Sequence, residues 1–208
     1  MTDLVLHGLQ FSTYVRTAQS ACEAKGVPYD LRPVDFRSFE FRALHPFGRM
    51  PAMTHGDVTL YETLAIASYV DEAFDGPALQ PGDAAGRALM LQWISAVNGY
   101  LYPAIFQGCL RERFVKRMRG MEPDEEAIAA LRPAIEEGLG VAEGALSKQS
   151  FLSGDAVSLA DFFLAPILAY FAAAPEGQAM LPAHQNLSRW MDRMAQTPGH
   201  DRVNVLPG

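Results

Sequence analysis

Three consecutive hydroxyl side chains stand where the first predicted helix begins: Ser12, Thr13 and Tyr14. They follow the apolar run Leu4-Val5-Leu6, which has the composition of a short strand. A hydroxyl at a helix N-terminus can donate a hydrogen bond to an anion, and the positive end of the helix dipole stabilises the same charge. Because serine is also a favoured helix cap, the spacing alone favours an ordinary N-cap for Ser12.

Other familiar catalytic and metal-binding patterns are missing from the sequence. It contains no GxSxG elbow, HExxH pair, phosphate-binding P-loop or EF-hand loop. Gly138-Leu139-Gly140 with Gly144 mimics a dinucleotide fingerprint, but it lies inside a helical pattern that no strand precedes. We expect no metal site, because the histidines form no spaced pair; they are His7, His45, His55, His184 and His200.

The composition of the 208 residues is typical of a folded globular protein, with 49% apolar and 20% charged residues. The net charge of -7 disfavours nucleic acid as a partner, because it repels a phosphate backbone. Cys22 and Cys109 form no disulfide framework and are expected to be buried. No targeting segment is visible, and the apolar run over residues 162–174 is too short to cross a membrane. We therefore expect a cytoplasmic protein without a membrane partner.

Short strands alternate with helices in the N-terminal part of the chain. After the first strand, the pattern predicts a helix over residues 13–25 that Gly26 ends, and then a strand over residues 29–34. Two brief strands around residues 51–53 and 58–60 are joined by the turn His55-Gly56-Asp57, and a helix over residues 62–74 follows. This order predicts a parallel βαβ unit followed by an antiparallel ββα unit.

The rest of the chain has only helical patterns. A linker rich in proline and glycine occupies residues 76–83. Helices are predicted over residues 84–119, 124–148, 159–173 and 186–195, and Pro133 should kink the second or shift its start. Ser158 and Asp161 have the spacing of a capping box at the start of the third helix, where loss of the carboxylate should cost about 1 kcal/mol.

Four motifs along the chain resemble those of the glutathione S-transferase superfamily. The run His45-Pro46-Phe47-Gly48-Arg49-Met50-Pro51-Ala52, followed by Leu60-Tyr61-Glu62-Thr63-Leu64-Ala65-Ile66, is similar to the family's glutathione-binding stretch. Phe11-Ser12-Thr13-Tyr14-Val15-Arg16 resembles the serine motif of the phi and theta classes. The capping box, preceded by Phe151-Leu152-Ser153-Gly154, and the run Leu187-Ser188-Arg189-Trp190 resemble the family's helical domain.

The resemblance implies an α/β domain joined to an all-α domain. A thioredoxin-like, glutathione-binding domain would occupy residues 1–75, and a helical bundle would occupy residues 84–208 after the linker. Phe47 resembles the loop residue that inserts into the partner subunit in several classes, which implies a homodimer. The same site could then serve detoxification chemistry on an electrophilic second substrate.

The resemblance also assigns roles to individual residues. Ser12 would stabilise the thiolate of glutathione, with Thr13 and Tyr14 as rival hydroxyls. The backbone of Met50, next to a cis Pro51, would pair with the tripeptide, and Glu62 and Thr63 would bind its γ-glutamyl end. Arg37 and Arg49 would make further contacts with glutathione. The pocket for the second substrate would be lined by four aromatic residues, Phe11, Tyr14, Tyr102 and Phe106.

Two departures from the family pattern are present. Thr63 stands where the family has serine, and the replacement keeps a hydroxyl group. Arg49 stands before the Met50-Pro51 pair, in place of the polar residue that is usual in the family. The glycine carboxylate of glutathione has no clear partner, and Arg37 is the nearest basic residue.

Three functions from different classes remain open at this level. The leading hypothesis is a glutathione transferase that requires no metal. The alternatives are a glutathione-dependent peroxidase or thiol oxidoreductase, and a non-catalytic binding or scaffold protein. The identity of the second substrate cannot be inferred from the fold.

Overall fold

Four strands in the N-terminal part of the chain form one mixed sheet with the order β2-β1-β3-β4. In the computed structural model, which describes residues 3–205, the strands are β1 Leu4–His7, β2 Asp30–Arg32, β3 Ala52–His55 and β4 Val58–Tyr61. β1 runs parallel to β2 and antiparallel to β3, which pairs with β4 in a hairpin. The apolar run in β1 is buried, as a central strand requires.

Three helices accompany this sheet: α1 Thr13–Lys25, α2 Phe39–Leu44 and α3 Thr63–Ala73. The predicted bounds of α1 are confirmed. Ser12 caps its start, and Gly26 ends it with a φ of 71°, a left-handed conformation that glycine adopts at little cost. The predicted βαβ-ββα order is confirmed, with α2 inserted between the two units.

Local differences from the predicted elements have local causes. The strand expected over residues 29–34 is limited to Asp30–Arg32, because Pro33 has no N–H with which to continue the ladder. Helix α2 was not predicted, since six residues carry too little helical periodicity. Its start is fixed by Ser38, whose Oγ accepts a hydrogen bond of 3.1 Å from the Phe41 N–H.

Helices make up the remainder of the described chain. Helix α4 continues directly into a π-helix, in which each turn is wider than in an α-helix. The helical elements are α4 Ala84–Ala96, the π-helix Val97–Lys116, α5 Glu125–Leu146, α6 Leu159–Ala173, α7 Pro175–Met180, a 3-10 turn Leu181–Ala183, α8 Gln185–Met194 and α9 His200–Val203.

The predicted bounds of α6 are confirmed, and those of α5 and α8 differ by one or two residues. The single helix expected over residues 84–119 is instead an α-helix followed by the π-helix, which contains Pro103, a residue without an N–H for the helix ladder. Helix α5 begins at Glu125 and runs through Pro133. The short helices α7 and α9 were not predicted.

The contacts divide the chain into two compact units. One unit comprises residues up to Gln80 together with the segment from Ala195 onward, and the other comprises Pro81–Met194. This differs from the expected division, which assigned all of residues 84–208 to the helical domain. The reason is that α9 packs on α1 and therefore belongs with the sheet.

No single helix within residues 3–205 is long and apolar enough to span a membrane. Two consecutive helical segments reach the required length and apolar composition only together, and they are bent by 92° at the break between them: Leu159–Ala173 and Pro175–Ala183.

Candidate functional site

The proposed glutathione-binding segments all leave the sheet at one row of residues. His7, the last residue of β1, pairs with Ala52 at the start of β3, and Ala52 pairs with Tyr61 at the end of β4. Ser12 therefore comes shortly after β1, Met50 shortly before β3, and Glu62 directly after β4. These three strand ends lie at the same end of the sheet. An ideal Cβ placed on Gly8, the residue after β1, would lie 3.6 Å from the Cβ of Met50. The segment that leads from β1 to Ser12 is therefore close to Met50. The register brings the Ser12, Met50–Pro51 and Glu62–Thr63 segments to the same end of the sheet.

Ser12 caps α1, but its capping hydrogen bond is weak. Its Oγ accepts from the Val15 N–H at 3.4 Å, whereas the cap oxygens of Ser38, Asp83 and Asp124 accept at 3.1, 2.9 and 2.9 Å. The first turn of α1 contains no acidic side chain, so the positive end of the helix dipole is not neutralised there. The Ser12 side chain is half-buried, and it can donate its proton to an anion placed at this helix end.

The two rival hydroxyls lie in different environments. Thr13 is 2% exposed, and its buried Oγ1 has no hydrogen-bond partner within residues 3–205. Tyr14 is half-buried, one helical position further on. Of the three hydroxyls, only that of Ser12 is both partly exposed and located at the helix cap.

The loop before β3 contains the expected cis peptide bond, between Met50 and Pro51. Pro51 is buried and Met50 half-buried, immediately ahead of the paired residue Ala52. Among residues 3–205, none forms a hydrogen bond with the backbone N–H or C=O of Met50. This peptide group is thus available to pair with an extended ligand in the manner of an added strand.

Glu62 and Thr63 form the start of α3. Glu62 occupies the N-cap position with a φ of 74° and is exposed. Its carboxylate makes no hydrogen bond that caps α3. Thr63 is 7% exposed at the first helical position. A helix start whose cap side chain does not occupy the N–H groups is suited to a ligand carboxylate.

The two arginines proposed for glutathione lie on separate parts of the loop region. Arg49 is exposed, next to Met50. Arg37 precedes α2, and its guanidinium lies over the ring of Phe36 at 5.6 Å from the ring centre. Arg42, which the sequence interpretation did not include, donates from Nη1 to the Pro46 carbonyl at 3.4 Å and so contacts the loop that leads to Met50. No sequence pattern distinguished Arg42 from other surface arginines.

His45 lies beneath the same loop and was also missed as part of the site's support. It is 2% exposed, and its ring lies 5.0 Å from that of Tyr61, the residue before Glu62. Burial lowers the pKa of His45, while the nearby Glu62 acts in the opposite direction. A neutral imidazole therefore fills the space between the α2 loop and the end of β4. Phe47 projects from this loop with 68% of its surface exposed.

Neither cysteine is suited to act as a nucleophile. Cys22 and Cys109 are both buried, and burial raises the pKa of each thiol to about 12. For Cys109, the adjacent Glu176 carboxylate, 3.5 Å from its sulfur, also opposes ionisation. A thiol in this range carries almost no thiolate at neutral pH.

The aromatic residues expected in the acceptor pocket belong to both units. Phe11 is 42% exposed and Tyr14 half-buried in the sheet-containing unit. In the helical unit, the rings of Tyr102 and Phe106 are stacked, with centres 5.2 Å apart and planes 11° apart. Phe106 also contacts Tyr170 edge to face at 6.0 Å, which fixes the orientation of this aromatic group.

Comparisons with known proteins match these features. The sequence models for the glutathione S-transferase N-terminal and C-terminal domains match residues 6–78 and 125–193. Glutathione S-transferase F9 of Arabidopsis thaliana is 32% identical over 203 residues, which cover 94% of this chain and 93% of the plant enzyme. This chain belongs to the glutathione S-transferase family. The expected resemblance to the phi type is confirmed by these plant relatives.

Solved structures of the family agree with this assignment. Glutathione transferase F7 from Populus trichocarpa superimposes with a TM-score of 0.88 at 27% identity, covering 96% of this chain and 97% of its own. Maize glutathione S-transferase I, solved with an atrazine–glutathione conjugate, has a TM-score of 0.88 at 25% identity, with 97% and 96% coverage. The similarity thus covers almost the whole chain, which has the glutathione S-transferase fold and is a glutathione transferase.

Proposed function

We propose that this glutathione transferase binds glutathione at the end of its sheet and stabilises the thiolate with the hydroxyl of Ser12. The observation that carries the proposal is the sheet row His7, Ala52 and Tyr61, from which the three binding segments depart together. The partly exposed, weakly bonded hydroxyl of Ser12 at the start of α1 supports its role as the donor.

The energy required is of the size that one such donor can supply. A free thiol has a pKa of about 8.5, so little thiolate exists at neutral pH. Lowering that pKa by two units takes about 2.7 kcal/mol. A hydrogen bond to a charged group contributes about 1.5–3 kcal/mol, and the dipole of α1 adds to it.

Other contacts would hold the rest of the tripeptide. The Met50 backbone, next to Pro51, would pair with the cysteinyl residue of glutathione. Glu62 would bind the ammonium group of the γ-glutamyl residue, while the start of α3 and Thr63 would bind its carboxylate. Arg37 is the cation proposed for the glycine carboxylate, and Arg49 is proposed as a further glutathione contact.

The reaction proposed for this site is nucleophilic attack by the bound thiolate. Its sulfur forms a bond to an electrophilic carbon of the second substrate, and the leaving group departs with the electron pair of the broken bond. The aromatic side chains of Phe11 and Tyr14, in the same unit as Ser12, favour a largely apolar acceptor. The chain itself contributes binding, orientation and anion stabilisation, and none of these roles requires a metal ion.

Two alternatives have less support. A thiol-disulfide exchange route through Cys22 or Cys109 would need a thiolate at a buried thiol whose pKa is raised. A scaffold that does not catalyse would have no need for a free helix start at Glu62 beyond the same end of the sheet as the Ser12 cap. Cytoplasmic location, a homodimer built around Phe47 and a role in detoxification complete the proposal.

Replacement of the Ser12 hydroxyl tests the proposed function. In Ser12→Ala, the pKa of bound glutathione should rise by about two units toward about 8.5, and conjugation of a chloro-aromatic acceptor should fall by about 25-fold at pH 7, in proportion to the thiolate fraction. The loss should shrink as the pH increases, because the thiol then ionises without help. The thiol pKa is measured from thiolate absorbance, and turnover is followed over the same pH range.

Thr13→Val is the matched control. It removes a neighbouring hydroxyl of similar size that is buried, so turnover and thiol pKa should stay close to those of the wild type. A normal thiol pKa in Ser12→Ala would overturn the proposed role of Ser12. Retention of the wild-type protein on immobilised glutathione without any turnover would favour the scaffold.

A further inference from the structure

The segment from Gly199 to Val205 returns to the sheet-containing unit and packs against α1. Its short helix α9 contacts α1, and the Arg202 guanidinium forms an ion pair with the Glu23 carboxylate near the end of that helix. Glu23 also accepts a hydrogen bond of 3.1 Å from the Tyr29 hydroxyl. The outer half of α1 is thus attached to residues almost two hundred positions away in sequence.

The same segment is bonded to the loop that carries Ser12. Gln10, two residues before Ser12, donates from Nε2 to the Val203 carbonyl at 3.0 Å. The backbone carbonyl of Gln10 accepts from Arg16 Nε at 2.8 Å, and Arg16 Nη2 donates to the Val205 carbonyl. Both the side chain and the main chain of Gln10 are therefore connected to the C-terminal segment, the latter through Arg16.

Because Arg16 is buried, the hydrogen bonds of this network are costly to break. Arg16 is 1% exposed, and a buried guanidinium must keep its carbonyl partners or lose the free energy of their hydrogen bonds. Arg16 is also one helical turn after Ser12, and its N–H donates to the Ser12 carbonyl at 3.0 Å. The loop is closed by a second bond of 2.9 Å, from the Ser12 N–H to the Leu9 carbonyl. A displacement of the C-terminal segment would reach Ser12 through both Gln10 and Arg16.

We propose that residues 199–205 are a positioning element for Ser12. Through Gln10 and Arg16, they would hold the loop between β1 and α1 so that the Ser12 hydroxyl points toward the bound sulfur. The inference rests on the proposed role of Ser12, since Gln10 and Arg16 would act only through that residue. A hydrogen bond to a developing anion loses strength quickly when its donor is misplaced, so a small shift of the loop has a measurable effect.

The first test removes the bond between Gln10 and the C-terminal segment. Gln10→Leu keeps the side-chain volume, and Gln10 borders an open cavity of about 670 Å³, so the leucine fits without overpacking. The pKa of bound glutathione should rise by about one unit, which lowers the thiolate fraction below that pKa by about tenfold. At a pH below that thiol pKa, where glutathione binds as the neutral thiol, its dissociation constant should change by less than about twofold, since this variant leaves Glu62, Thr63 and Met50 in place.

Tyr29→Phe is the control for Gln10→Leu. It removes the two side-chain hydrogen bonds that the Tyr29 hydroxyl makes with Glu23 and Gln19 of the same helix, α1, and should leave the thiol pKa unchanged. The second variant displaces the C-terminal segment without altering the Ser12 loop: in Gly199→Val, a β-branched residue at a φ of 70° would also press on Glu23, whose Cγ lies 2.5 Å from an ideal Cβ. It should raise the thiol pKa in the same direction.

A double-mutant cycle separates this inference from the proposed function. In a Ser12→Ala background, Gln10→Leu should cause no further rise in the thiol pKa, because the positioned group is missing. A shift in Ser12→Ala combined with no shift in Gln10→Leu and Gly199→Val would overturn the positioning role alone. An unshifted Ser12→Ala would overturn both proposals. A full additional shift by Gln10→Leu in the double mutant would show that the segment does not act through Ser12.

Discussion

At the scale of single residues, backbone strain marks the candidate site. Among residues 3–205, Glu62 is the one non-glycine residue with a positive φ, 74°. Such a conformation costs about 1–3 kcal/mol in a residue with a side chain, and it persists where the surroundings impose it. At Glu62 it places an exposed carboxylate beside the start of α3 without using that carboxylate as a cap. The strain is thus located where the γ-glutamyl end of glutathione is proposed to bind.

Substitution of Glu62 should separate stability from binding. Glu62→Gly relieves the strain and should raise the free energy of unfolding by about 1 kcal/mol. Glutathione affinity should fall by about tenfold or more, because a hydrogen bond from the ammonium group to a carboxylate is lost. Denaturant titration and calorimetry measure the two quantities.

Glu62→Gln is the control, because it keeps the side-chain length and the backbone conformation. Affinity should fall while stability remains close to that of the wild type. Unchanged affinity in both variants would contradict the proposed role of Glu62 at the glutathione site.

At the scale of elements, one buried carboxylate connects three parts of the helical unit. Asp161 accepts from the backbone N–H groups of Leu152 and Ser158, both at 2.9 Å, from the Ser158 hydroxyl at 2.9 Å, and from Trp190 Nε1 at 2.8 Å. Burial raises the pKa of this carboxyl, and the four donors act against that shift. The predicted capping box is confirmed. Through Trp190 and Leu152, Asp161 also connects the start of α6 to α8 and to the loop between α5 and α6.

Loss of this carboxylate should therefore cost more than an ordinary cap. Asp161→Ala leaves several buried donors without an acceptor, and the free energy of unfolding should fall by about 3–5 kcal/mol rather than by about 1 kcal/mol. Asp161→Asn retains one acceptor oxygen and should show an intermediate loss. Urea unfolding measures both variants. A cost of only about 1 kcal/mol in Asp161→Ala would mean that water replaces the missing oxygens.

At the scale of the whole molecule, an aromatic group remains exposed on the sheet-containing unit. Phe47 is 68% exposed and Tyr61 is 38% exposed. The ring of Phe47 meets that of Tyr61 edge to face, with centres 6.2 Å apart. Exposed aromatic residues of this kind are enriched at protein interfaces, and a symmetric dimer buries the same patch twice.

Removal of the Phe47 ring tests the proposed homodimer. Phe47→Ser should shift the protein toward monomers at micromolar concentration, because a buried aromatic anchor contributes about 2 kcal/mol or more to an interface. Sedimentation velocity measures the distribution. Val141→Ser, at a 57% exposed position of α5, removes a comparable apolar surface and should leave the association state unchanged. A Phe47→Ser protein that associates like the wild type would contradict the interface.

Much of the architecture followed from local signals in the sequence. Both ends of α1 and the start of α6 were predictable because Ser12 and Gly26 lie at the two ends of α1, and Ser158 with Asp161 forms a capping box at the start of α6. The candidate residues Ser12, Pro51 and Glu62 were predictable because each lies in a motif of the family. In contrast, α2 and α9 have six and four residues, lengths at which a helix is stable only through tertiary contacts.

The sequence by itself determined the four strands, most of the longer helices and which residue types are available for chemistry, since caps, periodicity and motifs act over a few neighbouring residues. Only the tertiary structure decided that His7, Ala52 and Tyr61 share one row, that Arg16 is buried, and that the segment after Ala195 belongs with the sheet. These features depend on strand register and on contacts between residues far apart in the chain, which local patterns do not encode.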